Sequence, residues 1–437
     1  MKKLTLVAAA SISLLSTGAA MAQTTVTLYG LLDAGYNRVS GLKNGTANTL
    51  ASGIMEGSRF GLRGSEDIGG GYRAIFTLEN RLELDTGSVT NRPNSGTQVP
   101  DRIGNTVVAT VLRSGLPLPA ATLNALVPAV TGGVNTALAS GAFGVNLAGN
   151  LFDRQAFAGL VTPFGAFTMG RQYTPGYLVS AAFDASQTQS SLAAGQVASL
   201  PAAFDIRLPN TLQYGIQAAG FTGAFMYGAG EVAGDSKRGR FLGGMVIYKT
   251  GAFSVGAGHN QKKNELGQDS LRNSLVGATF NVGPGTLYGQ YATIKDENPT
   301  GVSTLGASAA AAAVAAGAPA ALAPALTAAF QNGYNTAFRQ DARLMHIGYR
   351  MTTGPHTIVT AFNRLDDKRA VNADTDSYGV TYTYALSKRT NLNAVLTKFN
   401  NKGQGQIAPG GNGFLGGVTS AAGVDSTNIA FGIRHTF

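Results

Sequence analysis

The sequence predicts an all-β chain: a sixteen-stranded, antiparallel, up-and-down barrel that spans a membrane. Three observations carry that reading. Segments of about 10–13 residues alternate apolar with small or polar residues, the period of a two-faced strand. The connections between these segments alternate short and long from one end of the chain to the other. Beyond the N-terminus no strongly apolar run reaches the roughly 18 residues a membrane-crossing helix needs, which argues against a helical membrane protein.

Composition narrows the field. Of 437 residues 44% are hydrophobic but only 13% are charged, about half the usual share. The absence of Cys excludes disulfide scaffolds, thiolate zinc sites and cysteine nucleophiles. Lys2 and Lys3, an apolar stretch from Leu4 to Leu15, and the small-x-small site Ala20-Met21-Ala22 form the three parts of a secretory signal. Residues 1–22 are therefore expected to be a cleaved signal peptide and residues 23–437 the barrel. Without Lys2 and Lys3, 31 basic residues face 23 acidic ones. They are spread along an exported chain, so nucleic acid is not an expected partner.

The strand pattern is clearest near the C-terminus. Tyr378, Val380, Tyr382, Tyr384 and Leu386 fall on one face, and Ser377, Gly379, Thr381, Thr383 and Ala385 on the other. Ile429, Phe431, Ile433, His435 and Phe437 alternate with Asn428, Ala430, Gly432, Arg434 and Thr436. A soluble sandwich also alternates, so the connections decide. Tight turns are expected at 67–70, 162–165, 219–220, 250–251, 283–285, 353–355 and 387–389, where Gly and Pro supply turn geometry. Longer, more polar connections fall near 39–53, 83–150, 172–206, 231–237, 261–269, 296–337, 367–374 and 400–425. Seven turns and eight loops give fifteen connections, hence sixteen strands, an even-numbered meander with one short-turn end. Lipid around the outside requires every backbone polar group to be paired, and closure removes the edges. Small lumen residues leave an interior wide enough for water. Trp is absent, but 15 Tyr and 21 Phe are available for the interfacial aromatic belts.

Two stretches break the pattern: Ser114 to Phe152 and Pro299 to Phe338 carry no charge. The Ala-rich run from Ala307 is interrupted by Gly317, Pro319 and Pro324, which argues against a transmembrane helix. Short helical pieces in long extracellular loops, packed over the barrel mouth, are expected instead.

A charged side chain facing lipid at mid-depth costs about 2–4 kcal/mol, so strand arginines are expected to face the lumen. Parity opposes Arg59 and Arg63 to Phe60 and Leu62, and Arg73 and Arg81 to Phe76 and Leu78. It opposes Arg154 to Gln155 and Phe157, and Arg207 to Leu212 and Tyr214. Arg171 shares parity with Phe167 and Met169, so either a bulge intervenes or it sits above the membrane.

Several blocks together give the chain a family likeness. They are Val26-Thr27-Leu28-Tyr29-Gly30-Leu31-Leu32-Asp33, the stretch from Ser58 to Asp67, the stretch from Phe152 to Leu160, Gly170-Arg171-Gln172-Tyr173, and Gly432-Ile433-Arg434-His435-Thr436-Phe437. The chain resembles the general porins of Gram-negative outer membranes, in particular the beta-proteobacterial branch. The resemblance implies a homotrimer of separate pores in outer-membrane lipid and lipopolysaccharide. It implies a third long loop folded into the barrel and a second loop latched onto a neighbouring subunit. It also implies that the terminal Phe437 is the signal read by the barrel-assembly machinery. Loops 83–150 and 296–337 depart from the family by looking enlarged, and they contain the uncharged stretches.

The same resemblance places the basic side of a pore constriction on Arg59, Arg154, Arg207 and Arg81. The opposing charge is expected from the third loop, where Asp184 and Asp205 are the only acidic residues between Gln172 and Ile206. Excess arginine favours anions. The simpler alternative is that these arginines only satisfy wall carboxylates such as Glu66 and Glu79. Enzyme readings fail: His259, His346, His356 and His435 lack ligand spacing, Gly223 to Gly230 lacks the lysine of a phosphate loop, and no G-x-S-x-G elbow occurs. The function expected is passive diffusion of small hydrophilic solutes, with a modest anion preference and no cofactor. A substrate-selective channel and a loop-plugged structural or adhesin barrel are the alternatives.

Overall fold

The structure, a computed structural model, describes residues 25–89, 98–114, 118–140, 150–198, 205–409 and 417–437. The expected signal peptide lies outside the described residues. The chain runs through β1 (Thr25–Leu42), β2 (Gly45–Ser52), β3 (Arg59–Gly69), β4 (Tyr72–Arg81), β5 (Gln155–Thr162), β6 (Gly165–Tyr173), β7 (Arg207–Ala218) and β8 (Phe221–Gly228). It continues through β9 (Phe241–Lys249), β10 (Phe253–Lys263), β11 (Asp269–Val282), β12 (Gly285–Asp296), β13 (Gln340–Thr353), β14 (His356–Asp367), β15 (Thr375–Ala385) and β16 (Thr390–Asn401). A short ribbon, β17 (Ile407–Ala408) and β18 (Gly417–Val418), precedes the final strand β19 (Ser426–Thr436).

Seventeen strands form one antiparallel sheet, yet they make sixteen staves. The first half of β1 pairs with β3, from Thr25↔Ser65 to Leu31↔Arg59. Its second half pairs with β2, from Ala34↔Ser52 to Leu42↔Gly45. β2 and β3 are thus one stave, interrupted where residues 53–58 leave the wall. β1 also pairs with β19, from Leu31↔Thr436 to Val39↔Asn428, so the sheet closes on itself and has no edge.

All seven tight turns lie where expected, between β3 and β4, β5 and β6, and so on to β15 and β16; six carry Gly or Pro, and the last, Ser387-Lys388-Arg389, carries neither. One loop expectation is corrected. Residues 39–53 are not a loop but the tip of the β1–β2 hairpin, in which only Lys43 and Asn44 turn. The backbone leaves the wall later, at Gly53.

The two faces separate as alternation requires. Leu62, Leu160, Met169, Leu212, Ile347, Leu396, Phe431 and Ile433 are exposed on the outside. Thr77, Thr168, Gln213, Asn363, Ser377 and Thr397 face inward and are buried. Near the short turns the outer aromatics touch one another in sequence around the rim. Phe221 and Tyr248 have ring centroids 4.5 Å apart, Tyr248 and Phe253 6.2 Å, and Phe253 and Phe280 6.0 Å. Phe and Tyr alone build this interfacial belt. Phe437 joins the same rim, exchanging two 3.1 Å backbone hydrogen bonds with Gly30.

The described parts of the loops that hold the uncharged stretches are largely helical. After a π-helical turn (Gln98–Gly104), the second loop carries α1 (Asn105–Arg113) and α2 (Ala120–Ser140). The third loop holds α3 (Pro175–Ala182) and α4 (Ala194–Ala198), and the sixth holds α5 (Leu305–Ala315) and α6 (Ala323–Phe338). No described helix is long and apolar enough to cross a membrane. Val108, Leu112, Leu126, Val130, Ala309, Phe330 and Tyr334 form one buried core that joins the second and sixth loops. These loops leave the sixteen-stave ring from opposite sides, so their joint core bridges the mouth. The described part of the second loop packs against the sixth loop of its own chain.

Candidate pore constriction

The third loop enters the barrel because the inner wall makes room for it. Beside Thr174, which caps α3 through its hydroxyl, the chain turns inward and lays α3 along β9, β10 and β11. Phe183 sits where glycines replace side chains: a Cβ on Gly277 would lie 2.3 Å from its ring. Tyr177, Leu178, Val179, Phe183 and Val197 share a core with Met245, Leu275, Ile294, Leu344 and Phe399 of the wall. The small inward residues that suggested an empty lumen therefore seat the loop on that side.

Polar pins fix its path. His346 Nε2 accepts the Ala185 N–H at 2.9 Å, so the ring proton is assigned to Nδ1, which lies 2.6 Å from Asn363 Oδ1. Asn363 donates in turn to the Leu192 carbonyl at 2.9 Å. Arg350 donates to the Ser186 carbonyl at 3.1 Å, and Ser191 bonds Thr397 and Asn428. The loop thus crosses from β6 to the far wall, while β1 to β7 present their arginines on the other side.

On that side the interruption 53–58 also turns inward. Asp33 is wholly buried, and its carboxylate accepts the N–H groups of Ile54, Met55 and Glu56 at 3.0, 2.9 and 2.9 Å. Three amides on one carboxylate fold the segment, and Met55 then accepts a hydrogen bond from Gln189 N of the third loop at 2.8 Å. Glu56 is thereby held between two guanidiniums, 3.5 Å from Arg59 and 2.8 Å from Arg434.

Arginines and carboxylates continue along the wall. Arg154 Nε lies 2.7 Å from Glu79 Oε1, and Arg59 Nε 3.7 Å from Glu79 Oε2. The Tyr29 hydroxyl donates to Glu79 at 3.1 Å. Arg154 and Arg207 both donate to the Tyr173 hydroxyl, at 3.2 and 2.7 Å, and Arg207 stacks on the Tyr173 ring 4.4 Å from its centre. Arg81 pairs with Asp153 at 3.3 Å and with Glu83 at 3.9 Å. The charges are unevenly presented. Side chains of Arg59 and Arg434 keep 18% and 21% exposure, whereas Glu56, Glu79, Glu83 and Asp153 keep 9% or less.

Arg59, Arg81, Arg154 and Arg207 are thus brought together. Asp184 and Asp205 are not with them. Asp184 ties the third loop to itself, accepting from Ser186 N, Ser186 Oγ and Ala194 N at 2.9, 2.7 and 2.8 Å. Asp205 pairs with Lys262 of β10 at 3.4 Å. The carboxylates facing the arginines come from the wall and the inward segment. Glu79 is the partner that the simpler alternative named, while Glu66 is exposed and makes no ion pair among the described residues.

Parity was right for Arg59, Arg63 and Arg81 but wrong for Arg154. Gln155 and Phe157 pair with Glu79 and Thr77 on the inner face, and Arg154 reaches the lumen from the segment before β5. The Arg171 ambiguity resolves as a bulge: the β6–β7 register shifts between Gly170 and Gln172, and Arg171 Nε donates to the Asp153 carbonyl at 2.5 Å. Sequence reasoning passed over Glu56, Asp153, Arg434 and Tyr173. Arg434 was legible from the alternation of the last strand; Glu56 depends on a kink that no local pattern signals.

Comparison with known proteins agrees with this architecture. A family model described as Gram-negative porin matches residues 5–404. Outer membrane porin protein 32 of Delftia acidovorans is 25% identical over 445 residues, spanning 97% of each chain. An outer membrane porin protein of Bordetella pertussis is 41% identical over 102 residues, 20% of this chain and 26% of that one. The solved anion-selective porin from Comamonas acidovorans superposes with a TM-score of 0.63 at 22% identity, over 95% of this chain and 100% of that one. OmpT of Vibrio cholerae, in its trimer form, gives 0.54 at 13% identity over 95% and 99%. At such identities the solved structures speak for the fold.

Proposed function

The chain belongs to the Gram-negative porins, diffusion channels of the outer membrane, and we propose that it passes small hydrophilic solutes with a modest preference for anions. The observation that carries the preference is the uneven exposure of the wall charges. A solute in the gap between the third loop and the β1–β7 wall meets Arg59 and Arg434, while the carboxylates that balance them lie behind. Exposed arginines in a narrow section lower the barrier for anions, and the low-dielectric walls strengthen their field. The anion selectivity of the Comamonas porin supports the same sign.

Arg59 and Arg434 are the groups proposed to meet the solute. Arg81, Arg154 and Arg207 position them and hold the wall's charge. Asp184 is reassigned as a loop brace and Asp205 as the partner of Lys262. The chain is proposed to assemble as a homotrimer, the form in which OmpT of Vibrio cholerae is known, with Phe437 as its signal to the assembly machinery.

Planar-bilayer recording tests this. Purified protein is expected to insert as large ohmic steps grouped in threes. Silence would favour a barrel plugged by its helical loops, and saturation by one solute would favour a selective channel.

A further inference from the structure

The third loop, from which the opposing carboxylates are expected, is met by a cation instead. Arg350 of β13 stands on the inner face in step with Leu344, His346 and Gly348, while Met345 and Ile347 face outward. It is partly exposed. One of its terminal nitrogens donates to the carbonyls of Ala185 and Ser186 at the loop tip, at 3.4 and 3.1 Å. Carbonyl dipoles orient a guanidinium without neutralising it, and among the described residues Arg350 makes no ion pair.

The acidic groups of that side are engaged elsewhere. Asp184 accepts from Ser186 and Ala194 of its own loop and lies 4.0 Å from His346. Asp205 is held by Lys262. Apart from the Tyr288 phenol, the titratable groups whose fields reach Arg350 are Arg434 and Glu56. Those two belong to the other wall: from β13 the ring runs through β14, β15 and β16 to β19, and on through β1 to β3. The loop tip sets the spacing between the two sides. Ser186 holds Arg350, and Gln189 N donates to the Met55 carbonyl beside Glu56 at 2.8 Å. Three residue steps separate Ser186 from Gln189, at most about 11 Å of extended chain. The Debye length is about 8–10 Å at ordinary ionic strength, so a solute in this section feels both sides.

We propose that Arg350 is a further selectivity-determining residue of the pore, placing positive charge on the loop side of the constriction across from Arg59 and Arg434. The narrow section then repels cations from two sides, and no loop carboxylate opposes the arginines. This rests on the diffusion reading and adds to it the sign of the loop side.

The test is the zero-current potential across a KCl gradient for the wild type, Arg350→Gln and Arg350→Lys. Gln keeps an N–H for the loop carbonyls and loses the charge; Lys keeps the charge. The chloride-over-potassium permeability ratio is expected to fall about threefold in Arg350→Gln, the factor that a unit charge exerts on an ion about 7 Å away in water. Arg350→Lys is expected to stay near the wild type. The gap between the wild type and Arg350→Gln should shrink from about 0.1 M to 1 M salt, as the screening length drops from about 10 to 3 Å. A residue that only pins the loop would show no such salt dependence. Heat-modifiable migration in a detergent gel establishes that each variant is folded, and Arg350→Met is the second charge-free variant. A wild-type ratio in Arg350→Gln or Arg350→Met would overturn the proposal, and so would equal losses in the Gln and Lys variants. A cation-selective wild type, or no channel at all, would sink the diffusion reading instead.

Discussion

Arg154 and Glu79 form a 2.7 Å ion pair in which the side chains keep only 2% and 5% of their exposure. Removing one partner of such a pair leaves an uncompensated charge, typically at a cost of about 3–5 kcal/mol. Glu79→Gln also strips Arg59 and Tyr29 of a partner. Two effects are therefore expected: a clear drop in the denaturation midpoint of the detergent-solubilised barrel, and a reversal potential shifted further toward anions. An unchanged midpoint would show that water already compensates Arg154.

The third loop is held against the far wall by His346. Phenylalanine at that position fills similar volume but leaves the Ala185 N–H without its acceptor, a loss of about 1–3 kcal/mol for a buried donor. His346→Phe is expected to make the loop restless, seen as greater open-channel current noise at unchanged barrel content by circular dichroism. A quiet channel would mean that the hydrophobic seat alone holds the loop.

That seat is the second handle. Gly277→Ala places a methyl 2.3 Å from Cγ of Phe183, and overpacking of this kind costs about 1–3 kcal/mol. The loop has to move inward, toward Arg59 and Arg434. Lower single-channel conductance is the expected result. An equal or larger conductance would contradict the packing described for the loop.

The helical layer over the mouth has an anchor sensitive to acid. Glu265, in the loop after β10, accepts the N–H of Gly301 at 3.0 Å and that of Ser303 at 3.2 Å. Burial acts to raise its titration, but the Ser303 hydroxyl, then the Gly301 and Ser303 amides among other groups, outweigh it and hold the carboxyl below the usual glutamate range. A carboxyl depressed on folding stabilises the docked loop above its unfolded value and loses that contribution as pH falls through the folded value. Hydrogen exchange around 299–305 is expected to rise on acidification in the wild type and to be largely insensitive to pH in Glu265→Gln. A matching pH response in both would remove Glu265 from this role.

What was legible in the sequence follows from which interactions are local. The barrel wall was readable because lipid outside and water inside impose a two-residue period, and Gly or Pro marks every short turn from 67–70 to 353–355. Arg59 and Arg81 were placed correctly because they stand in regular strands. Arg154 was given the wrong parity because it stands just before β5, outside the regular strand, and Arg171 was ambiguous because a bulge follows Gly170. The carboxylates were misplaced for a deeper reason. Asp184 and Asp205 looked free in sequence, but one is spent on its own turn and the other on Lys262, more than fifty residues away. Glu56 reaches Arg434 only because Asp33 gathers three amides, an arrangement that exists only after the chain has closed.

The most direct test of the central claim is the zero-current potential across a KCl gradient, for the wild type and for Arg59→Ala with Arg434→Ala. Exposed arginines on the pore side of the wall require a potential of anion-selective sign, and the double variant should move it toward zero or past it. A cation-selective wild type, or a double variant with the wild-type potential, would contradict the account.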